Sequence, residues 1–340
     1  MASEHRVQHE GCVVLSITYS SEALVWQNQL VEPPALSVRR LRWYWRYANK
    51  QTRRVARSWT VRQFSARRSG SALWICSWQR SGSTWLAEML SHTRGTRLVY
   101  EPANVPAEIF DGVQSAHVEM PLPTSLAERD AVLRAIDGTM HHPWTDQFNH
   151  THVVKRSVIK DVRAISLCPS IRRARSETPI IVLVRHPFAV AYSALRLGWT
   201  DTRDRDSAFV AEVLSWCQRH SQAFQDPDMT NIHYVAYEDL VKDTQSELQS
   251  ILIYASQFHS TWNHVRVNDI EVNVPSATTF GSPESRHDAV TQSATDSAYQ
   301  LLVDYELSDL YAKDLTCRSD VGEFVRAFRD RHTGNSKSVG

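Results

Sequence analysis

The chain has 340 residues, 42% of them hydrophobic, which is enough to enclose one large core or two modest ones and too apolar for a disordered tail. Its 38 basic side chains are balanced by 37 acidic ones, so no global field draws it to nucleic acid, and any electrostatic specialisation must be local. The five cysteines (Cys12, Cys76, Cys168, Cys217 and Cys317) are odd in number, widely spaced and without a C-x-x-C pair, which speaks against a disulfide framework or zinc site and for a reducing compartment.

The first ten residues, MASEHRVQHE, carry both signs of charge and lead into a brief apolar run at 11–17. That pattern is neither a signal-peptide core with a basic lead nor a membrane span, and the chain reads as soluble and cytoplasmic. Between Arg39 and Arg68 there are eleven Arg or Lys and no Asp or Glu, interleaved with Trp43, Tyr44, Trp45, Tyr47, Trp59 and Phe64. A basic, aromatic helix of this kind could contact an anionic membrane peripherally, a nucleic-acid backbone or an acidic partner; the favoured expectation is that its aromatic side chains pack it onto the main domain. The expected division is an extension at 1–70, a main domain at 71–330 and a frayed tail at 331–340. No oligomeric state is legible.

From Ser69-Gly70-Ser71 onward, short apolar and β-branched runs alternate with helical patterns. Strands are predicted at 73–76, 97–100, 179–184 and 232–236, with a weaker one at 157–159; helices are predicted at 84–92, 188–197, 206–224, 248–258 and 297–311. This alternation predicts an α/β fold with a mostly parallel central sheet flanked by helices, the layered class to which folds of the P-loop nucleotide-binding type belong.

The first strand runs into Ser77-Trp78-Gln79-Arg80-Ser81-Gly82-Ser83-Thr84-Trp85-Leu86, a small polar loop opening directly into a helix. Such a turn offers backbone N–H groups and the positive end of a helix to a phosphate or sulfate. Ser81, Ser83 and Thr84 add hydroxyls, Gly82 lets the backbone approach closely, and Arg80 adds a fixed charge. The loop lacks the lysine of G-x-x-x-x-G-K-[ST], which disfavours an ATPase or kinase. After the 179–184 strand comes Arg185-His186-Pro187, and Ser193 follows Arg185 by eight positions, two turns into a helix that Pro187 can open.

The string W-x-R-S-G-S-T-W-L at 78–86 resembles the 5′-phosphosulfate loop of sulfotransferases that use 3′-phosphoadenosine-5′-phosphosulfate (PAPS), in the arginine-bearing form of carbohydrate-type and bacterial members. The Arg185 to Ser193 segment is similar to that family's 3′-phosphate segment, with His186 where Asp is common; Tyr100-Glu101-Pro102 and Tyr237-Glu238-Asp239-Leu240 resemble two further stretches of carbohydrate-type members. The resemblance covers 71 to about 245. It implies PAPS as co-substrate with no metal required, bound by Ser81, Gly82, Ser83, Thr84, Trp85, Arg185 and Ser193. The late segment Gly281 to Arg286 lacks the G-x-x-G-x-W-K pattern of cytosolic members but could form a lid whose Arg286 reaches the 3′-phosphate. Arg80 would stabilise the leaving phosphate and Glu101 would act as base towards a hydroxylated small-molecule or glycan acceptor, with no specific nucleic acid involved. His141, His142, His150 and His152 are the alternative base or a metal cluster, and Lys160 and Arg163, a K-x-x-R pair, could touch cofactor or acceptor or, equally, serve in surface salt bridges. Asp239 is expected to cap a helix. Acceptor contacts are expected from 103–152 and 199–230. Competing readings are a P-loop nucleotide kinase-like phosphotransferase and a non-catalytic protein binding anionic surfaces through 39–68.

Overall fold

The computed structural model describes residues 71–102, 133–149, 154–162, 164–197, 204–270, 272 and 290–334, together with 52–54, 56 and 58. Five strands, β1 (Ala72–Ser77), β2 (Thr96–Tyr100), β3 (Arg156–Asp161), β4 (Ile180–Val184) and β5 (His233–Ala236), form one sheet in the order β2-β3-β1-β4-β5. Every pairing among them is parallel. The helices between and after them are α1 (Ser83–Ser91), α2 (Cys168–Ala174), α3 (Pro187–Arg196), α4 (Arg205–Gln225), α5 (Tyr237–Lys242), α6 (Thr244–Phe258), α7 (Gln292–Asp304) and α8 (Val321–Gly334).

The unbroken apolar sequence of β4, Ile-Ile-Val-Leu-Val, is buried at all five positions, as a central parallel strand covered on both faces requires. Successive side chains point to opposite faces. Ile180, Val182 and Val184 join a core with Phe188 of α3 and Phe209 and Trp216 of α4, whereas Ile181 and Leu183 join a second core with Leu86 and Leu90 of α1 and Ile251 and Ala255 of α6. The layered α/β architecture expected from the sequence is therefore present, with two cores back to back across one sheet.

All five expected strands occur. Local capping explains the helix limits that differ from expectation. Asp243 accepts a hydrogen bond from Ser246 N at 3.1 Å, so α6 begins four residues before 248. Thr291 accepts from Ala294 N at 3.3 Å, so the helix expected at 297–311 instead spans Gln292–Asp304 and ends before Glu306, whose φ is +57°. Asp239 is not a cap: Ala236 occupies that position of α5, with no side-chain cap bond. The short helices α2 and α5 and the C-terminal α8 were not expected, and α8 continues to Gly334, past the 330 limit. The boundary near residue 70 and the segment 335–340 lie outside the described residues.

Cys76, Cys168, Cys217 and Cys317 are free thiols, and Cys12 lies outside the described residues. Among the described residues no helix is long and apolar enough to cross a membrane. Of the basic 39–68 block, the described positions include Ser58, whose hydroxyl donates to Asp146 Oδ2 at 2.9 Å, and Arg54, which hydrogen-bonds Gln147 and lies 5.6 Å over the Trp144 ring. These contacts set that part of the block against the 133–149 segment, while its aromatic residues, through which the packing was expected, lie outside the described residues.

Candidate active site

Parallel pairing puts every strand end of one kind on one edge, and register decides which ends are neighbours. Cys76 lies opposite Val182 and Ser77 opposite Leu183, so the loop after β1 and the turn after β4 emerge side by side at the carboxyl edge, where open α/β sheets bind ligands.

The first of these loops takes a left-handed path. Arg80 has φ +62° and Gly82 has φ +90°. At Gly82 a side chain is impossible without rearrangement, because a Cβ there would lie 2.3 Å from Tyr237 Cε2 and 2.4 Å from Cδ2. Gly82 also occupies the N-cap of α1, with no side-chain cap bond and no acidic residue in the first turn. The helix N-terminus thus keeps its positive end for an external anion. Ser81 Oγ is fully buried with no hydrogen-bond partner among the described residues. Ser83 Oγ accepts from Ser77 Oγ at 2.8 Å, which leaves its own proton to donate. An uncapped helix, an orphaned hydroxyl and a glycine that brings backbone close to a second element together fit a phosphate or sulfate.

The second cradle interlocks with the first. Arg185 Nη1 donates to the Arg80 carbonyl at 2.7 Å, and Arg80 Nε donates to Ser193 Oγ at 2.9 Å. The Arg185 guanidinium stacks 4.4 Å over the Tyr237 ring, the same ring that Gly82 abuts, and Trp85 meets that ring edge-on at 6.1 Å. Burial, reinforced by the nearby Arg196 guanidinium, lowers the Arg80 pKa from its usual value, which still leaves a guanidinium charged at neutral pH. His186 occupies the N-cap of α3 and caps it through its ring. Its Nδ1 accepts from Phe188 N at 3.1 Å at the start of α3, and its Nε2 lies 2.7 Å from the Ala312 carbonyl, so the Nε2–H tautomer serves both contacts. Glu238 completes this corner by accepting from His186 N at 3.0 Å; burial raises its pKa.

The third component is the end of β2. The strand order inserts β3 between β2 and β1, so the end of β2 is one strand removed from the phosphate loop. Tyr100 lies opposite Lys160 in register, and Lys160 Nζ pairs with Glu101 Oε1 at 2.5 Å while sitting 4.6 Å over the Tyr100 ring. Glu101 itself is held at φ +42°, with its N–H donating to the Lys160 carbonyl at 2.7 Å. The Tyr100 hydroxyl bridges the Glu101 carboxylate and the Thr84 hydroxyl; burial first, and then Glu101, raise its pKa. Glu101 therefore reaches the phosphate-loop helix through Tyr100 and Thr84. Lys160 is not a surface residue but the buried partner of Glu101.

Arg80 and Glu101, the two residues to which the sequence assigns chemistry, both hold positive φ, a conformation that costs about 1–3 kcal/mol and persists only where surroundings enforce it. His141 and His142 serve the 141–149 turn: His141 Nδ1 is 3.5 Å from Asp146, and His142 Nδ1 accepts from Trp144 N at 3.1 Å. Among the described residues no three His, Cys, Asp or Glu side chains form a metal-binding group. Arg163, His150, His152 and Arg286 lie outside the described residues. The segment 205–225, within a region expected to supply acceptor loops, is helix α4. The residues that sequence reasoning missed are Tyr100, Tyr237 and Lys160 in these specific contacts; only the spacing of β2 against β3 could have paired Lys160 with Glu101.

Comparison with solved structures finds mouse sulfotransferase SULT7A1 complexed with PAP, at 15% identity over 80% of this chain and 93% of that one, with a TM-score of 0.41. It also finds the sulfotransferase domain of the Synechococcus PCC 7002 olefin synthase, at 19% identity over 71% and 97% of the two chains, with a TM-score of 0.38. No curated protein matches. The family model described as "Sulfotransferase family" matches residues 72–256, more than half of the chain and all of the loop, arginine and carboxylate segments above, so this chain belongs to the sulfotransferase family.

Proposed function

We propose that the protein transfers the sulfuryl group of PAPS to a hydroxyl of a carbohydrate, lipid or small metabolite. The observation that carries this is the pair of interlocked anion cradles at adjacent strand ends, joined by the Arg185 to Arg80 and Arg80 to Ser193 hydrogen bonds. A single phosphate site would need only the first cradle. Two, one before α1 and one running from the end of β4 into α3, suit a nucleotide with anionic groups at both its 5′ and 3′ positions.

PAPS supplies an activated sulfuryl group on a phosphate that leaves. In this reading the N–H groups opening α1, with the Ser81, Ser83 and Thr84 hydroxyls, hold the 5′ end, and Trp85 packs behind them. Arg185 and Ser193 hold the 3′-phosphate. Arg80 places a fixed positive charge where negative charge grows as the sulfur–oxygen bond to the phosphate breaks. Glu101 takes the proton of the acceptor hydroxyl as its oxygen bonds to sulfur, releasing adenosine 3′,5′-bisphosphate. Lys160 and Tyr100 orient that carboxylate. No step in this scheme asks for a metal ion.

Calorimetric titration with adenosine 3′,5′-bisphosphate and with 5′-AMP tests the assignment. The bisphosphate is expected to bind at least tenfold tighter, on the order of one charge-assisted phosphate contact, and Arg185→Ala is expected to abolish the difference. Equal binding of both nucleotides by the wild-type chain would remove the 3′-phosphate site and the proposal with it.

A further inference from the structure

The phosphate loop has an acidic neighbour that no ligand role explains. Glu212, on α4, is buried, and its Oε1 accepts two hydrogen bonds from the loop: 2.8 Å from Gln79 Nε2 and 3.2 Å from Trp78 Nε1. Seven residues on, along the same helix face, Arg219 lies 5.8 Å over the Trp78 ring. A carboxylate beside an anion cradle repels the anion it faces, so its presence calls for a different benefit. The two residues it grips immediately precede Arg80, whose φ of +62° is unfavourable for a residue with a side chain. On its far side Arg80 is held by Arg185 at its carbonyl and by Ser193 at Nε. On its near side the restraint comes from Glu212.

We infer that Glu212 is a positioning residue for the 5′ cradle: by clasping Trp78 and Gln79 it holds Arg80 in its left-handed conformation and aims the loop N–H groups at the 5′ phosphosulfate. The role is that of a hydrogen-bond acceptor, and the negative charge is incidental to it. This rests on the nucleotide reading proposed above and adds to it a residue 132 positions away from Arg80.

The distinguishing experiment compares two nucleotides and four variants. Adenosine 3′,5′-bisphosphate uses both cradles and adenosine 3′-monophosphate only the second. Glu212→Ala is expected to weaken the bisphosphate on the order of tenfold, as two lost hydrogen bonds would, and to leave the 3′-monophosphate within about twofold. Glu212→Gln keeps an acceptor oxygen in place and is expected to restore bisphosphate binding to within about twofold of wild type or better. Gln79→Ala and Trp78→Phe each remove one of the two bonds without touching α4, and each is expected to give a smaller loss confined to the bisphosphate. These two keep the test intact if Glu212→Ala fails to fold. Equal weakening of both nucleotides, no weakening in any variant, or a Glu212→Gln as impaired as Glu212→Ala would overturn the role while leaving the nucleotide site standing. A wild-type chain that binds neither nucleotide would overturn the site and the role together.

Discussion

Replacing Gly82 by alanine tests how the two cradles are joined. The new Cβ would stand 2.3 and 2.4 Å from two carbons of the Tyr237 ring, well inside contact distance, on a backbone with φ +90°. The left-handed conformation alone costs a residue with a side chain about 1–2 kcal/mol. Forcing the ring aside adds about 1–3 kcal/mol, typical of overpacking, because Tyr237 is itself buried and its ring has little room to retreat. The sum, about 2–5 kcal/mol, corresponds to a fall in Tm of roughly 3–7 °C for a chain of 340 residues in a scanning-calorimetry trace. The ring also carries the Arg185 guanidinium at 4.4 Å, so the displacement reaches the second cradle, and affinity for adenosine 3′,5′-bisphosphate should fall along with stability. Combining the change with Tyr237→Ala isolates the steric part: with the ring gone, Gly82→Ala should lose its overpacking cost, giving a coupling of about 1–3 kcal/mol between the two sites. A Gly82→Ala protein with wild-type Tm and affinity, or strictly additive effects in the double variant, would refute the close approach.

Two further outcomes follow from buried charge. Lys160→Met strands the Glu101 carboxylate and should destabilise by about 3 kcal/mol, near the lower end for breaking a buried pair because Glu101 keeps some solvent contact; Lys160→Met with Glu101→Gln should recover part of that loss in thermal melts. His220 is fully buried against Trp216, with ring centroids 3.9 Å apart, and burial lowers its pKa to about 3. Since the unfolded ring titrates near 6.5, the unfolded state binds the extra proton first. The stability this residue contributes is complete above that value and is lost as pH falls toward about 3. Between pH 7 and pH 5 the loss should amount to about 2 kcal/mol, and His220→Phe should remove that portion of the pH dependence in urea unfolding.

Much of this molecule is legible locally. The five strands are short runs of apolar and β-branched residues, and the small-residue loop at 77–84 and the Arg185 to Ser193 spacing mark the two cradles, because turn chemistry and helical spacing act over a few residues. Helix ends were less legible. A threonine cap at Thr291 and a left-handed Glu306 moved α7 toward the N-terminus of its expected span, and α2 and α5 are shorter than a periodic pattern needs in order to register. Tyr237 and Glu238 prove to be the floor under Arg185 and the acceptor for His186 N.

By itself the sequence determined the layered α/β class and the two polar strand-end loops with the residues within each, since these depend on local backbone preference and side-chain type. The tertiary structure decided which strands are neighbours. Placing β4 against β1 joins Arg185 to Arg80 across more than a hundred residues, and placing β3 between β1 and β2 gives Glu101 its lysine and sends its path to the loop through Tyr100. Strand order is set by how whole buried faces fit together, a sum over many distant side chains that no short window of sequence contains.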